Sequence, residues 1–80
     1  MDVNVLRKRL KDEGIPQRWY LINEGIRSDT NILEKYSGQW QYYYYDEKGN
    51  TRDLRHFTSE AEACQYLYDI LKEEYDFFYK

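Results

Sequence analysis

The sequence is poor in the residues from which reactive sites are usually built. Its 80 residues include one cysteine, Cys64, and one histidine, His56. A lone cysteine excludes an internal disulfide and fits a reducing compartment, so a cytoplasmic location is expected. One cysteine and one histidine fall short of the three or four ligands of a zinc site, so no metal or other cofactor is expected. The four glycines stand apart, at positions 14, 25, 38 and 49. That spacing excludes a glycine-rich phosphate loop. No apolar run approaches a membrane span, and no charged-then-apolar leader opens the chain. A basic excess is also missing: the net charge is −3 and the pI about 5.1. That balance argues against a nucleic-acid or anionic-membrane partner.

Aromatic residues are what the chain has in excess. Ten tyrosines, three phenylalanines and two tryptophans make up 19% of it. A domain of this size buries only about 60% of its unfolded surface, so its core cannot hold them all. Disordered chains are poor in aromatics, so disorder is excluded. Some tyrosines must then lie at the surface, and tyrosine is enriched at protein interfaces.

The pattern along the chain predicts one α+β domain over residues 1–80, without repeat or linker. Val3, Leu6 and Leu10 recur at helical spacing and predict a helix over 2–13, with Asp2 as its cap. Gly14 and Pro16 end it. Residues 18–23 are rich in strand formers. Further strands are expected over 30–36, 39–46 and 50–57. Ser37-Gly38 forms a two-residue turn, and Glu47-Lys48-Gly49 a three-residue hairpin loop. Ser59-Glu60-Ala61-Glu62 is a capping box. Behind it Ala63, Cys64, Leu67, Ile70 and Leu71 form the apolar stripe of a C-terminal helix. The expected architecture is a roughly four-stranded, mostly antiparallel sheet between an N-terminal and a C-terminal helix.

The two turns fix a strand register. The first pairs Lys35 with Trp40 and Leu33 with Tyr42. The second pairs Tyr42 with Leu54 and Tyr43 with Asp53. One face then carries Leu33, Trp40, Tyr42, Tyr44 and Leu54, and the C-terminal helix packs there. The other carries Ile32, Glu34, Tyr36, Gln41, Tyr43, Tyr45, Asp53 and Arg55. A one-residue slip would mix these sets, so the agreement of both turns supports the hairpins.

No residue pattern points to catalysis. A Cys–His pair needs contact and an open pocket, whereas Cys64 falls on an apolar stripe as a structural thiol does. The carboxylate pairs Glu73-Glu74 and Asp46-Glu47 read as solvated surface. The basic run Arg7-Lys8-Arg9-Lys11 reads as a solvated helix face, with phosphate contact as its functional alternative. Tyr42-Tyr43-Tyr44-Tyr45 could stack single-stranded bases. Such platforms sit in basic fields, and here Glu34, Asp46, Glu47 and Asp53 lie nearby. The last helix, with six acids against two bases from Glu60 onward, suits a basic partner.

Three stretches carry a resemblance. They are Gly38-Gln39-Trp40-Gln41-Tyr42-Tyr43-Tyr44, Asp46-Glu47-Lys48-Gly49, and Phe57-Thr58-Ser59-Glu60-Ala61-Glu62-Ala63-Cys64-Gln65-Tyr66-Leu67. With Tyr20-Leu21-Ile22 and Leu33-Glu34-Lys35, they resemble small bacterial immunity proteins encoded beside polymorphic toxins. The loop Asn23-Glu24-Gly25-Ile26 departs from the two adjacent glycines of that pattern. The resemblance implies a non-enzymatic protein that neutralises a cognate toxin, often a nuclease, by direct binding. The partner would be a basic toxin domain. A generic interaction module is the alternative, followed by a single-strand nucleic-acid binder. The expected partner-binding residues are Tyr36, Gln41, Tyr43, Tyr45, Asp46, Glu47 and Asp53, on the sheet face away from the C-terminal helix. The rival arrangement has the N-terminal helix covering that face and the interface moved to Asp69 and Glu73.

Overall fold

The computed structural model describes residues 1–79. Its elements are α1 (Val3–Asp12), β1 (Tyr20–Ile22), β2 (Thr30–Tyr36), β3 (Gln39–Tyr45), β4 (Thr51–Phe57) and α2 (Glu60–Tyr79), with a 3₁₀ turn at Gln17–Trp19. The α+β class and the element order match the sequence expectation. The sheet runs β1-β2-β3-β4. β1 pairs parallel to β2, and the two hairpins are antiparallel.

Local chemistry explains where the elements begin and end. The Asp2 carboxylate accepts the Val5 N–H at 2.8 Å and caps α1. Ser59 Oγ accepts the Glu62 N–H at 3.1 Å, and Glu62 Oε1 accepts the serine hydroxyl at 3.3 Å. The Glu60 carboxylate accepts the Val3 N–H at 2.8 Å, so the start of α2 also satisfies an orphan donor of α1. Ser37 and Gly38 both take positive φ, 50° and 78°, as a type I′ hairpin requires.

Both helices lie on one face of the sheet. They run side by side in the same direction, tied by Val3–Glu60 at one end and Glu13–Tyr68 at the other. Leu6 and Leu10 of α1 meet Ala63, Cys64, Leu67 and Leu71 of α2 over Ile22, Leu33, Trp40 and Tyr42. The N-terminal helix therefore leaves the other sheet face open, against the rival arrangement. Tyr68, outside the predicted stripe, is buried between the helices. Its hydroxyl donates to Glu13 at 2.7 Å, and Arg9 stacks over its ring at 4.2 Å. Tyr44, expected in the core, is only half-buried.

The first hairpin has the expected register, Leu33 opposite Tyr42 and Lys35 opposite Trp40. The second has it only near its turn, where Tyr45 faces Thr51 and Tyr44 faces Arg52. A bulge between Tyr42 and Tyr44 then shifts the pairing by one, so Tyr42 faces Arg55 rather than Leu54. Asp53 sits in the bulge with φ +57°. One extra residue flips everything beyond it to the opposite face. Arg55 turns to the helix side, where its guanidinium lies against the Tyr66 hydroxyl, which raises its pKa. Leu54 turns outward and is 46% exposed.

Candidate functional site

The open sheet face is the surface to which the sequence assigned a partner. Alternation along β2, β3 and β4 places Ile32, Glu34 and Tyr36 beside Gln41, Tyr43 and Tyr45, with Leu54 and His56 on the edge strand. No element among the described residues packs over them. Its centre is a tight cross-strand cluster rather than a loose patch. Ile32 pairs with Tyr43, and they are 1% and 6% exposed. Glu34 accepts from Gln41 Nε2 at 2.7 Å and from the Tyr43 hydroxyl at 3.4 Å. Burial, and then the Glu34 charge, raise the Tyr43 pKa.

The seven expected contact residues separate into groups. Tyr36, Gln41, Tyr43 and Tyr45 share the face. Tyr36 is 64% exposed at the end of β2. Gln41 and Tyr45 are half-buried. Tyr43 is support for the face and not a free ring, because its neighbours cover it. Asp46 is buried rather than open at the rim. Its carboxylate is turned into the hairpin loop, where Oδ1 accepts the N–H groups of Lys48 at 3.0 Å and Asn50 at 2.8 Å. Oδ2 accepts Arg52 Nε at 2.9 Å. These bonds, the one from Asn50 first, hold its pKa below the ordinary value. Glu47 is exposed at the loop tip. Asp53 is exposed in the bulge, not opposite Tyr43 in a regular ladder.

Leu54 and His56 are members of the face that the sequence reading missed. A signal for Leu54 was present. Leu54 and Phe57 are three residues apart, so a regular strand cannot put both on the helix side. Phe57 packs there, against Tyr66 with ring centroids 5.3 Å apart. One of the two therefore had to face away from the helices; the structure runs regularly from Leu54 to Phe57 and breaks the alternation just before them, at Asp53.

The four consecutive tyrosines form no continuous stacking platform. Tyr42 lies under the helices, its hydroxyl donating to Asn31 Oδ1 at 2.7 Å. Asn31 in turn donates to the Trp19 carbonyl at 3.0 Å. Burial drives the Tyr42 pKa far up. His56 and Cys64 do not meet. His56 pairs with Gln41 on the open face, and Cys64 is fully buried on the inner side of α2. Burial pushes the Cys64 thiol up to about 11. Among the described residues no group of three His, Cys, Asp or Glu side chains could hold a metal. No helix there is long and apolar enough to cross a membrane.

A second surface lies at the end of α2. Phe77, Phe78 and Tyr79 are 81%, 63% and 60% exposed. Trp19 packs against the last two, with centroids 6.0 and 6.2 Å away. Asp69 and Glu73 line the exposed side of the same helix. Comparison with known proteins adds no relative: no protein-family model, curated protein or solved structure matches the chain.

Proposed function

We propose that this chain is a binding protein that neutralises a bacterial toxin by docking its open sheet face on the toxin domain. The observation that carries the reading is a four-stranded sheet with both helices on one side. Its uncovered side offers the exposed Tyr36 and Leu54 around the rigid Ile32–Tyr43 centre. Flat, pre-organised apolar surface with a polar rim is what a protein partner uses, since few side chains need ordering on binding. The toxin assignment rests on the sequence resemblance to immunity proteins. Exposed Glu47 and Asp53 at the rim suit a basic partner and act mainly on association rate.

The test is co-expression with the product of the gene directly upstream, read as protection of cells from that product and as a purified complex. Wild type is expected to protect. Tyr36→Asp combined with Leu54→Asp should keep the fold, because both side chains are already exposed, and abolish protection. Protection by that double variant would remove the sheet face from the reading. If Phe77→Asp abolishes it instead, the interface lies at the end of α2. Absence of any complex with wild type would refute the toxin assignment itself.

A further inference from the structure

The basic run of α1 takes no part in the open face. Arg9 turns towards α2, over Tyr68 and onto Glu13 at 3.2 Å. Arg7, Lys8 and Lys11 turn the other way and form one wall of a cleft of about 500 Å³ beside β1. Tyr20 and Leu21 line it, and Arg27 and Glu24 close it from the loop after β1. Four cations thus line the cleft with one carboxylate, Glu24, in a protein whose net charge is −3; Asp12 pairs with Lys8 beside it.

The two arginines are held in place by main-chain oxygens. Arg7 Nη2 donates to the Ile22 carbonyl at 2.7 Å and Nη1 to Glu24 Oε1 at 2.7 Å. Arg27 Nη2 donates to the Arg18 carbonyl at 2.9 Å and Nε to Thr30 Oγ1 at 3.3 Å. A guanidinium has five N–H groups. Two are used in each case, so three remain on each. Lys8 pairs with Asp12 at 2.7 Å, while Lys11 pairs with no carboxylate among the described residues.

We propose that this cleft binds the phosphate group of a small phosphorylated ligand. Fixed guanidinium forks from two elements match a tetrahedral oxyanion, and little side-chain entropy remains to be lost. A phosphate ester offers three acceptor oxygens and up to two charges. It therefore meets more of these donors than a carboxylate does. The volume falls in the range of small-molecule sites, roughly 300–1,000 Å³. Tyr20 and Leu21 supply an apolar wall for the organic part. Glu24 is a built-in competitor that holds Arg7 until an anion displaces it. The inference does not rest on the toxin reading, because its cations come from α1, on the helix side of the sheet, and from the loop after β1, and none of them is among the residues assigned to the partner.

The experiment is titration of the full chain with inorganic pyrophosphate and with adenosine diphosphate at low ionic strength, followed by backbone amide chemical shifts. Saturable shifts are expected over residues 7–11 and 20–27. Lys11→Gln, an exposed change that spares the fold, and Arg27→Gln should each weaken binding about tenfold, the loss of one charge-assisted contact. Glu24→Gln should tighten it by freeing Arg7. Arg52→Gln, on the opposite edge, should leave it unchanged. Tighter binding of adenosine diphosphate assigns a nucleotide, and equal binding assigns recognition of the phosphate group alone. Shifts spread evenly to Arg52 and Arg55 would overturn the proposal, as would wild-type affinity in both cleft variants. Far tighter binding of a single-stranded oligonucleotide through the same residues would overturn the small-ligand assignment.

Discussion

Tyr43→Ala separates support from contact on the open face. The ring is 6% exposed between Ile32 and the β4 bulge. A buried aromatic covers about 150–250 Å². Truncation to the methyl group forfeits roughly 100–150 Å² of apolar burial, about 2.5–4 kcal/mol at 25 cal/mol per Å². The 3.4 Å contact of its hydroxyl with half-buried Glu34 adds little. A domain of this size holds only about 4–12 kcal/mol in total. A loss near 3 kcal/mol should lower Tm by about 12–24 °C. Urea denaturation followed by tyrosine and tryptophan fluorescence measures the loss directly, with partner affinity measured on the same preparation well below the new midpoint. The folded fraction should bind within a few-fold of wild type. Tyr36→Ala should do the reverse: its ring is 64% exposed, so stability should move by no more than about 0.5 kcal/mol while affinity falls. An unchanged denaturation midpoint for Tyr43→Ala together with lost binding would refute the assignment of that ring to support.

The remaining predictions concern the loop, the acid limb and the thiol. Gly49→Ala should lower stability by about 1–2 kcal/mol. Its φ is +82°, and a Cβ there would stand 3.3 Å from the Tyr45 hydroxyl; an unchanged denaturation midpoint would show that the loop relaxes freely. The depressed Asp46 pKa makes its contribution fully present above the unfolded value of 3.8 and lost as pH falls through the lower folded value. The acid limb of a stability–pH profile should therefore be shallower in Asp46→Asn, and identical limbs would disprove the coupling. Cys64 should resist alkylation at neutral pH, since its thiol is buried with a pKa of about 11. Its labelling rate should follow urea unfolding, and rapid labelling of the native protein would contradict its place in the core.

Much of the fold was legible because local and tertiary signals agreed. The Ser59 capping box, the Ser37-Gly38 turn and the alternation through Leu33, Trp40 and Tyr42 each state one answer, and the structure has it. The bulge was not legible in the same way, because nothing in the Thr51–Phe57 composition marks Asp53 as the residue in the left-handed region. Aspartate tolerates that conformation without advertising it as glycine would. The parallel pairing of β1 was hidden for a different reason. Tyr20–Ile22 is three residues long, too short for alternation to show its direction. The depth of Tyr43 was hidden because a period-2 pattern assigns a face and not a depth. Its burial comes from neighbours on the sheet itself, with no covering layer.

That last point bears on why the face is open at all. Residues of an 80-residue chain can supply about two helices and four strands. Both helices are spent on one side, where Leu6, Leu10, Leu67 and Leu71 are completely buried. A sheet with one solvated face must still keep its strands in register. Here the Ile32–Tyr43 pair and the Glu34 hydrogen bonds do so from the solvent side. The β4 bulge then carries Leu54 away from the helices and onto this face, which adds exposed apolar surface where folding gains nothing from it. At the same time the bulge, Arg52 and Arg55 make the edge a poor template for strand addition. An edge guarded against indiscriminate pairing beside a face that displays Tyr36 and Leu54 favours recognition by side chains across the sheet over extension of its ladder. A partner should therefore be sensitive to Tyr36 and Leu54. Proline at Arg55 tests the other mode, although its backbone pairing with Tyr42 means that the variant's fold must be checked first. A folded variant that binds normally supports docking on the face, and one that no longer binds places the partner strand on the β4 edge.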